Sequence, residues 1–478
     1  MEREDSSGGV SGAAAARLCW AATPMAEPTP DDPSVAPVDP PAPRRSAVRR
    51  AGGLLGHVAT DITPLRVSRD YRMLWSGNLV STAGRQFTVV ALPYQVYLLT
   101  RSNLAVGGIG LVQLVPLVAL SLAGGAIADR MDRRRLLLIT NVLLAGGSAL
   151  LTVAALLHWD RLWLLYLLAG LIAGVAAVDQ PTRSATIPRL VRPEHLASAL
   201  SLNFGGFQVT LIAGPALAGV VLAHVGLGYA YLIDAVTFAA AIAAVLAISP
   251  QPPLHSRREP VLLAVRRGLE FAVRQRVLLG SFLCDIVAMV FGMRRALFPV
   301  LATSVYHVGA GGLGLMYMAL AVGGVVAALT GGWIGRTRRQ GRIVVGAVAV
   351  WGLSVVGLGL APSFAVAMLA LAVGGAADAY SAVSRSTIMQ TITPDELRGR
   401  LSAVYSMVVV GGPNLGDIEA GSVASAFSPA ASIVSGGVLC VVGIGALVLA
   451  TPQLLAYRAR YFTEARPAEG DAGTAGSA

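Results

Sequence analysis

The chain has 478 residues, 55% of them hydrophobic and 13% charged, with a mean hydropathy of +0.65 and a formal net charge of +11. Soluble domains carry about 25% charged residues, so this composition excludes an ordinary soluble enzyme and fits a polytopic helical membrane protein. The positive balance does not denote nucleic-acid binding, because the arginines lie in connections between apolar runs and form no basic domain of their own.

Residues 1–65 are rich in Pro and Ala, with Pro28, Pro30, Pro33, Pro37, Pro40, Pro41 and Pro43 close together, and read as a disordered tail. No apolar core with a small-residue cleavage site follows a basic start, so the tail lacks the order of a secretory signal. Twelve apolar runs of membrane-crossing length follow, near 72–99, 104–128, 135–157, 161–182, 197–223, 228–249, 277–304, 310–334, 342–361, 364–386, 401–424 and 431–451. They group as a six-helix half over 66–249 and another over 277–455, separated by a linker over 250–276 and followed by a disordered tail over 456–478. The expected fold class is therefore all-α, with twelve transmembrane helices. The even-numbered connections hold arginine clusters: Arg130, Arg133, Arg134 and Arg135; Arg183, Arg189 and Arg192; six between Arg257 and Arg276; four between Arg336 and Arg342; Arg398 and Arg400. The odd-numbered ones hold Arg101 and Arg161, so the positive-inside rule places both termini in the cytoplasm. In the linker, Val261, Leu262, Val265, Leu269 and Val273 recur at helical spacing opposite Arg266, Arg267, Glu270 and Arg274, as in a helix lying on the inner membrane surface. All 37 basic residues are arginine, a bias expected of a GC-rich bacterial genome, and the bacterial cell membrane is the expected location.

The halves repeat weakly at a steady offset. Leu92-Pro93 matches Phe298-Pro299; the segment from Gly125 to Arg135 matches Gly331-Gly332-Trp333-Ile334-Gly335-Arg336; Thr186-Ile187 and Pro193-Glu194-His195-Leu196 match Thr387-Ile388 and Pro394-Asp395-Glu396-Leu397. Parallel repeats of this kind place a substrate cavity between the halves near the membrane midplane.

Ionisable groups inside spans cost about 2.5–3.5 kcal/mol each on insertion scales, which makes them functional candidates. Arg85 lies in the first run, Asp234 in the sixth, Asp285, Arg294 and Arg295 in the seventh, Asp378 in the tenth, and Asp417 and Glu419 in the eleventh. A carboxylate there can carry a proton, and an arginine can attract an anion; the alternative for each is a static Asp–Arg bridge between helices. Asp179, near the end of the fourth run, reads as a gate or helix-end contact, and His158 and His224 as solvated turn residues. Cys19, Cys284 and Cys440 are too scattered for a metal site or disulfide framework, and without a lysine the chain has no phosphate loop of the Gly-Lys-Ser/Thr kind. No cofactor, metal, nucleic-acid partner or enzymic activity is expected; the expected partners are membrane lipid, a small-molecule substrate and protons, for a monomeric protein.

Gly125-Ala126-Ile127-Ala128-Asp129-Arg130, with Arg133 and Arg134, resembles the gating loop after the second helix of the major facilitator superfamily. Gly214-Pro215-Ala216-Leu217-Ala218-Gly219 resembles the helix-kinking Gly-Pro pattern of its antiporters, although Ala218 stands where a glycine would be. The fourth-span arginine of its drug:proton antiporters is absent, since Gly170 stands four residues before Gly174. Ala91-Leu92-Pro93-Tyr94-Gln95, Gly314-Leu315-Met316-Tyr317, the run Gln390 to Leu401 and Asn414-Leu415-Gly416-Asp417 resemble the enterobactin-exporter branch, which includes macrolide-efflux relatives. That resemblance implies two six-helix pseudo-repeats and export of a siderophore or hydrophobic drug, driven by proton antiport with alternating access. The alternatives are an importer or facilitator of an anionic nutrient, with Arg85 and Arg294 as an anion clamp, and a non-transporting membrane sensor or scaffold.

Overall fold

In the computed structural model the described residues are 61–252 and 261–458, and for stretches such as 122–130 and 398–400 the description extends to the backbone only. Twelve long helical passages run through them: α1 Arg69–Thr100, α2 Asn103–Arg130, α3 Arg133–Leu156, α4 Leu162–Leu190, α5 Leu196–His224, α6 Leu227–Leu246, the interrupted α7 Arg276–Val305, α8 Gly309–Thr330, α9 Gln340–Gly359, α10 Phe364–Ile392, α11 Asp395–Ala426 and α12 Pro429–Ala450. Ten are long and apolar enough to cross a membrane; α1 and α11 are not among them. Both carry polar side chains in mid-helix: Asn78, Arg85, Gln86 and Gln95 in α1, and Asn414, Asp417 and Glu419 in α11. Such helices are expected to face a polar interior and not lipid.

Local chemistry sets the helix ends. The side chains of Ser68, Asp132, Ser363 and Ser428 accept hydrogen bonds from backbone N–H groups in the first turns of α1, α3, α10 and α12. Arg101 ends α1 in a left-handed conformation, φ 51°.

Equivalent helices have equivalent neighbours. In the first half α1 packs on α5 and α6, α2 on α4, and α3 on α4 and α6; in the second α7 packs on α11 and α12, α8 on α10, and α9 on α10 and α12. The main seams between the halves are α2 with α11 and α5 with α8. Each closes on a glycine pair. A Cβ on Gly219 would lie 2.9 Å from the Gly314 Cα, and one on Gly421 2.9 Å from the Gly107 Cα, closer than real Cβ atoms approach. All four glycines stand within two turns of the helix ends that adjoin Arg101, His224, Gly309 and Phe427, so the halves are joined at the end opposite the arginine clusters. Tyr97 Oη and Ser304 Oγ meet there at 2.9 Å, and the Leu104 N–H donates to Ser425 Oγ at 2.8 Å.

Several boundaries differ from the sequence reading. α4 continues to Leu190, so Arg183 and Arg189 belong to a helix and not to a connection. α2 stays helical to Arg130 and α3 begins at Arg133, leaving Met131-Asp132 as the turn, whereas the matched segment Gly331–Arg336 winds into 3-10 turns. α1 runs unbroken through Pro93, but α7 breaks between Gly292 and Arg295. The connector helix Val261–Arg274 forms as expected. Ala272 and Phe271 pack against Leu278, Met389 and Leu401, which leaves Leu269 and Val273 exposed.

Candidate functional site

Of the gating motif, the side chains of Gly125, Asp129 and Arg130 lie outside the described residues. Arg133 is buried and donates to the Ala185 carbonyl of α4, while Arg134 donates through Nε to Val245 O at 3.2 Å and through Nη2 to Leu246 O. These two arginines thus tie α3 to the last turns of α4 and α6 within one half. Of the kink motif, Pro215 stands inside α5 and Gly214 faces Gln86 of α1, where an added Cβ would come within 2.6 Å. Gly219 is the seam glycine against α8. The motif therefore serves close helix packing.

The intramembrane charges fall into four groups. In the first, Arg294 pairs with Glu419, Arg295 lies 3.9 Å from Asp417, and Asp417 Oδ1 accepts from the Ala296 N–H at 2.9 Å. Asp417 thereby satisfies an N–H exposed by the break in α7. Arg294 is buried and its guanidinium is paired with Glu419 in this conformation. In a second group, Arg385 of α10 lies 2.8 Å from Asp285 of α7 and 3.8 Å from Asp378. The Asp285–Arg385 contact is an ion pair without an aligned hydrogen bond, since both Asp285 oxygens lack a donor. The third joins Asp179 to Arg183 at 3.0 Å and to Thr140 Oγ1 at 2.6 Å. Asp179 is buried in this network between α3 and α4, which is not the helix-end contact expected of it.

The fourth group differs in kind. Asp234 of α6 is 1% exposed and accepts from the hydroxyls of Thr88 and Ser148, the latter at 2.8 Å. Its Oδ1 is buried without a donor. Arg85 stands three residues before Thr88 on the same helix and is half-buried, and it makes no hydrogen bond or ion pair among the described residues. Of the described intramembrane carboxylates, Asp234 is the one with no arginine within ion-pair distance.

Arg183 and Arg385 were not singled out from the sequence as site residues. The signal was present, since each stands one turn or two beyond a carboxylate, Asp179 or Asp378, on a span whose apolar run ends nearby. His158 sits in a turn with positive φ, and Cys284 and Cys440 are buried and free.

Residues 59–462 match the model of the transmembrane secretion effector family. The chain belongs to that family. This secretion-effector chain is 27% identical over 391 residues to the enterobactin exporter EntS of Citrobacter koseri, covering 81% of its own length and 94% of the relative. It is also 27% identical over 400 residues to EntS of Salmonella typhi, covering 83% and 96%. Among solved structures it resembles a POT family transporter, with TM-score 0.65 and 12% identity over 81% of this chain and 96% of that one. It also resembles an inward-facing bacterial homologue of the iron transporter ferroportin, with TM-score 0.62 and 15% identity over 81% and 99%. The secretion-effector chain is thus a multi-pass membrane transporter of the major facilitator superfamily, in the enterobactin-exporter branch.

Proposed function

We propose that this transporter exports a small amphipathic molecule, a siderophore or a drug-like compound, by alternating access with protons as the counter-ion. The observation that carries the reading is the match to enterobactin exporters over nearly their whole length. The geometry supports alternating access, because at one end the halves meet on close glycine contacts and two hydrogen bonds, with no ion pair across that end among the described residues. With the arginine-rich end in the cytoplasm, this is an inward-facing arrangement.

Asp234 is the proposed proton carrier. Asp285, Asp378, Asp417 and Glu419 each stand beside an arginine, and protonating one would break an ion pair. Protonating Asp234 breaks none, and its hydroxyl partners can turn from donor to acceptor. Arg85, half-buried beside it, supplies the positive charge that would draw an anionic or catechol-like cargo. Competition between cargo and proton for this Arg85–Asp234 pair would couple the two fluxes.

The test is efflux from cells that express the chain and are loaded with a catecholate siderophore or a macrolide. Faster loss of either compound than from cells lacking the chain is the expected result. Net uptake along the gradient of an anionic nutrient, with no effect on either compound, would replace export with the importer reading.

A further inference from the structure

A cavity of about 380 Å³ lies at the arginine-rich end of the first half, away from both glycine seams. Its lining includes Arg69, Asp70, Arg189, Arg192, His195 and Gln251. Four separate pieces of chain converge there: the start of α1, the end of α4, the turn into α5 and the exit from α6. Three arginines face one carboxylate, and that carboxylate is occupied, since Asp70 Oδ2 accepts from the Ser249 N–H at 3.1 Å. Arg189 uses Nη1 on the Pro252 carbonyl at 2.8 Å, while its Nη2 is buried with no acceptor. Arg69 and Arg192 make no side-chain hydrogen bond or ion pair among the described residues. A nearby acid, Asp61, is taken up by Thr63 and Ser198, whose hydrogen bonds hold its carboxyl down at about 2.

A cavity with a surplus of guanidinium groups, one of them carrying a buried and unused donor, is incomplete without an anion. Guanidinium forks match phosphate oxygens in geometry and charge. The cavity is also larger than a bare ion needs and within the range of sites for organic ligands. We propose that it is a binding site for a phosphate-bearing anion, supplied by the headgroup of an acidic phospholipid or by free phosphate. Occupied, it clamps the start of α1 to the end of α4 and the exit of α6, and so stiffens the first half as a unit. On the orientation proposed above, the lipid comes from the cytoplasmic leaflet, whose acidic headgroups attract basic clusters.

The experiment uses the purified full chain in neutral detergent. Binding of phosphatidylglycerol, phosphatidylcholine and inorganic phosphate is measured by native mass spectrometry and by thermal stabilisation. A preference for phosphatidylglycerol over phosphatidylcholine supports the lipid source; stabilisation by inorganic phosphate without that preference supports the free anion. Arg69→Gln and Arg192→Gln should each weaken the binding that is seen by about fivefold. Arg192→Lys should keep most of it, and Arg101→Gln, at the opposite end, all of it. Equal binding of the two lipids with no response to phosphate would overturn the proposal, as would binding that neither glutamine variant reduces while both remain folded. Neither outcome bears on whether the protein exports a siderophore, so the two claims fail separately.

Discussion

Asp285 and Arg385 offer the sharpest test of the packing in the second half. Their side chains are 1% and 2% exposed and their charges stand 2.8 Å apart, linking α7 to α10. Removing one partner of a buried pair costs about 3–5 kcal/mol, because the other charge is left stranded in a medium that cannot solvate it. Asp285→Asn should fall at the lower end, about 3 kcal/mol, since Asp378 remains 3.8 Å from Arg385 and keeps partial compensation. Arg385→Gln strands Asp285 and Asp378 together and should be worse. The assay is thermal unfolding of the purified protein in detergent, where Asp285→Asn should lower the midpoint by roughly 5 °C. The double variant Asp285→Asn, Arg385→Gln should recover part of the loss, because the buried charge at 285 is gone and only the more exposed Asp378 is left without its arginine. If Asp285→Asn is as stable as the parent, or the double variant is the sum of the singles, the two residues do not form the pair described.

Replacing Gly219 or Gly314 by Leu should part α5 from α8 and raise the labelling of a cysteine placed at Ser304, read with a membrane-impermeant thiol reagent; unchanged labelling would count against a seam that closes on these glycines. Asp234→Asn should abolish accumulation driven by a pH gradient while leaving passive exchange of cargo, measured in proteoliposomes, and intact coupling would move the proton to another carboxylate. Arg134→Gln should cost about 1.5–3 kcal/mol, as charged donors to the Val245 and Leu246 carbonyls are lost, checked by thermal unfolding. The Asp61 carboxyl is depressed to about 2 from 3.8, so its contribution is present above the higher value and lost as pH falls through the lower one. Asp61→Asn should therefore flatten the acid-unfolding profile between these two values, followed by fluorescence.

The twelve passages and their pairing by sixes were legible because lipid demands long apolar runs and the repeat left matching prolines and glycines. The inner ends of α4 and α10 were less so. Past Asp179 and Asp378 the composition turns polar, yet the helices continue, and the hydroxyls of Thr182, Thr186, Thr387 and Thr391 are satisfied within them on carbonyls one turn back. That concealed Arg183 and Arg385 as buried partners. The break in α7 was also hidden. Pro299 is a helix-breaking signal in the run 277–304, but α1 continues through the matching Pro93, so the proline alone did not tell the two apart; the contact that holds the break comes from Asp417, more than a hundred residues away. Apart from Arg183 and Arg385, the charged residues of the spans were visible from the sequence; which of them pair with one another was settled by tertiary packing, and only after pairing does Asp234 stand apart.

The central claim, export coupled to protons through Asp234, is tested most directly by flux in proteoliposomes holding the purified protein, with a catecholate siderophore as cargo and an imposed pH gradient. The account predicts accumulation against the cargo's own gradient, lost when the pH gradient is collapsed and lost in Asp234→Asn. Equilibration that ignores the pH gradient, or accumulation that survives Asp234→Asn, would contradict it.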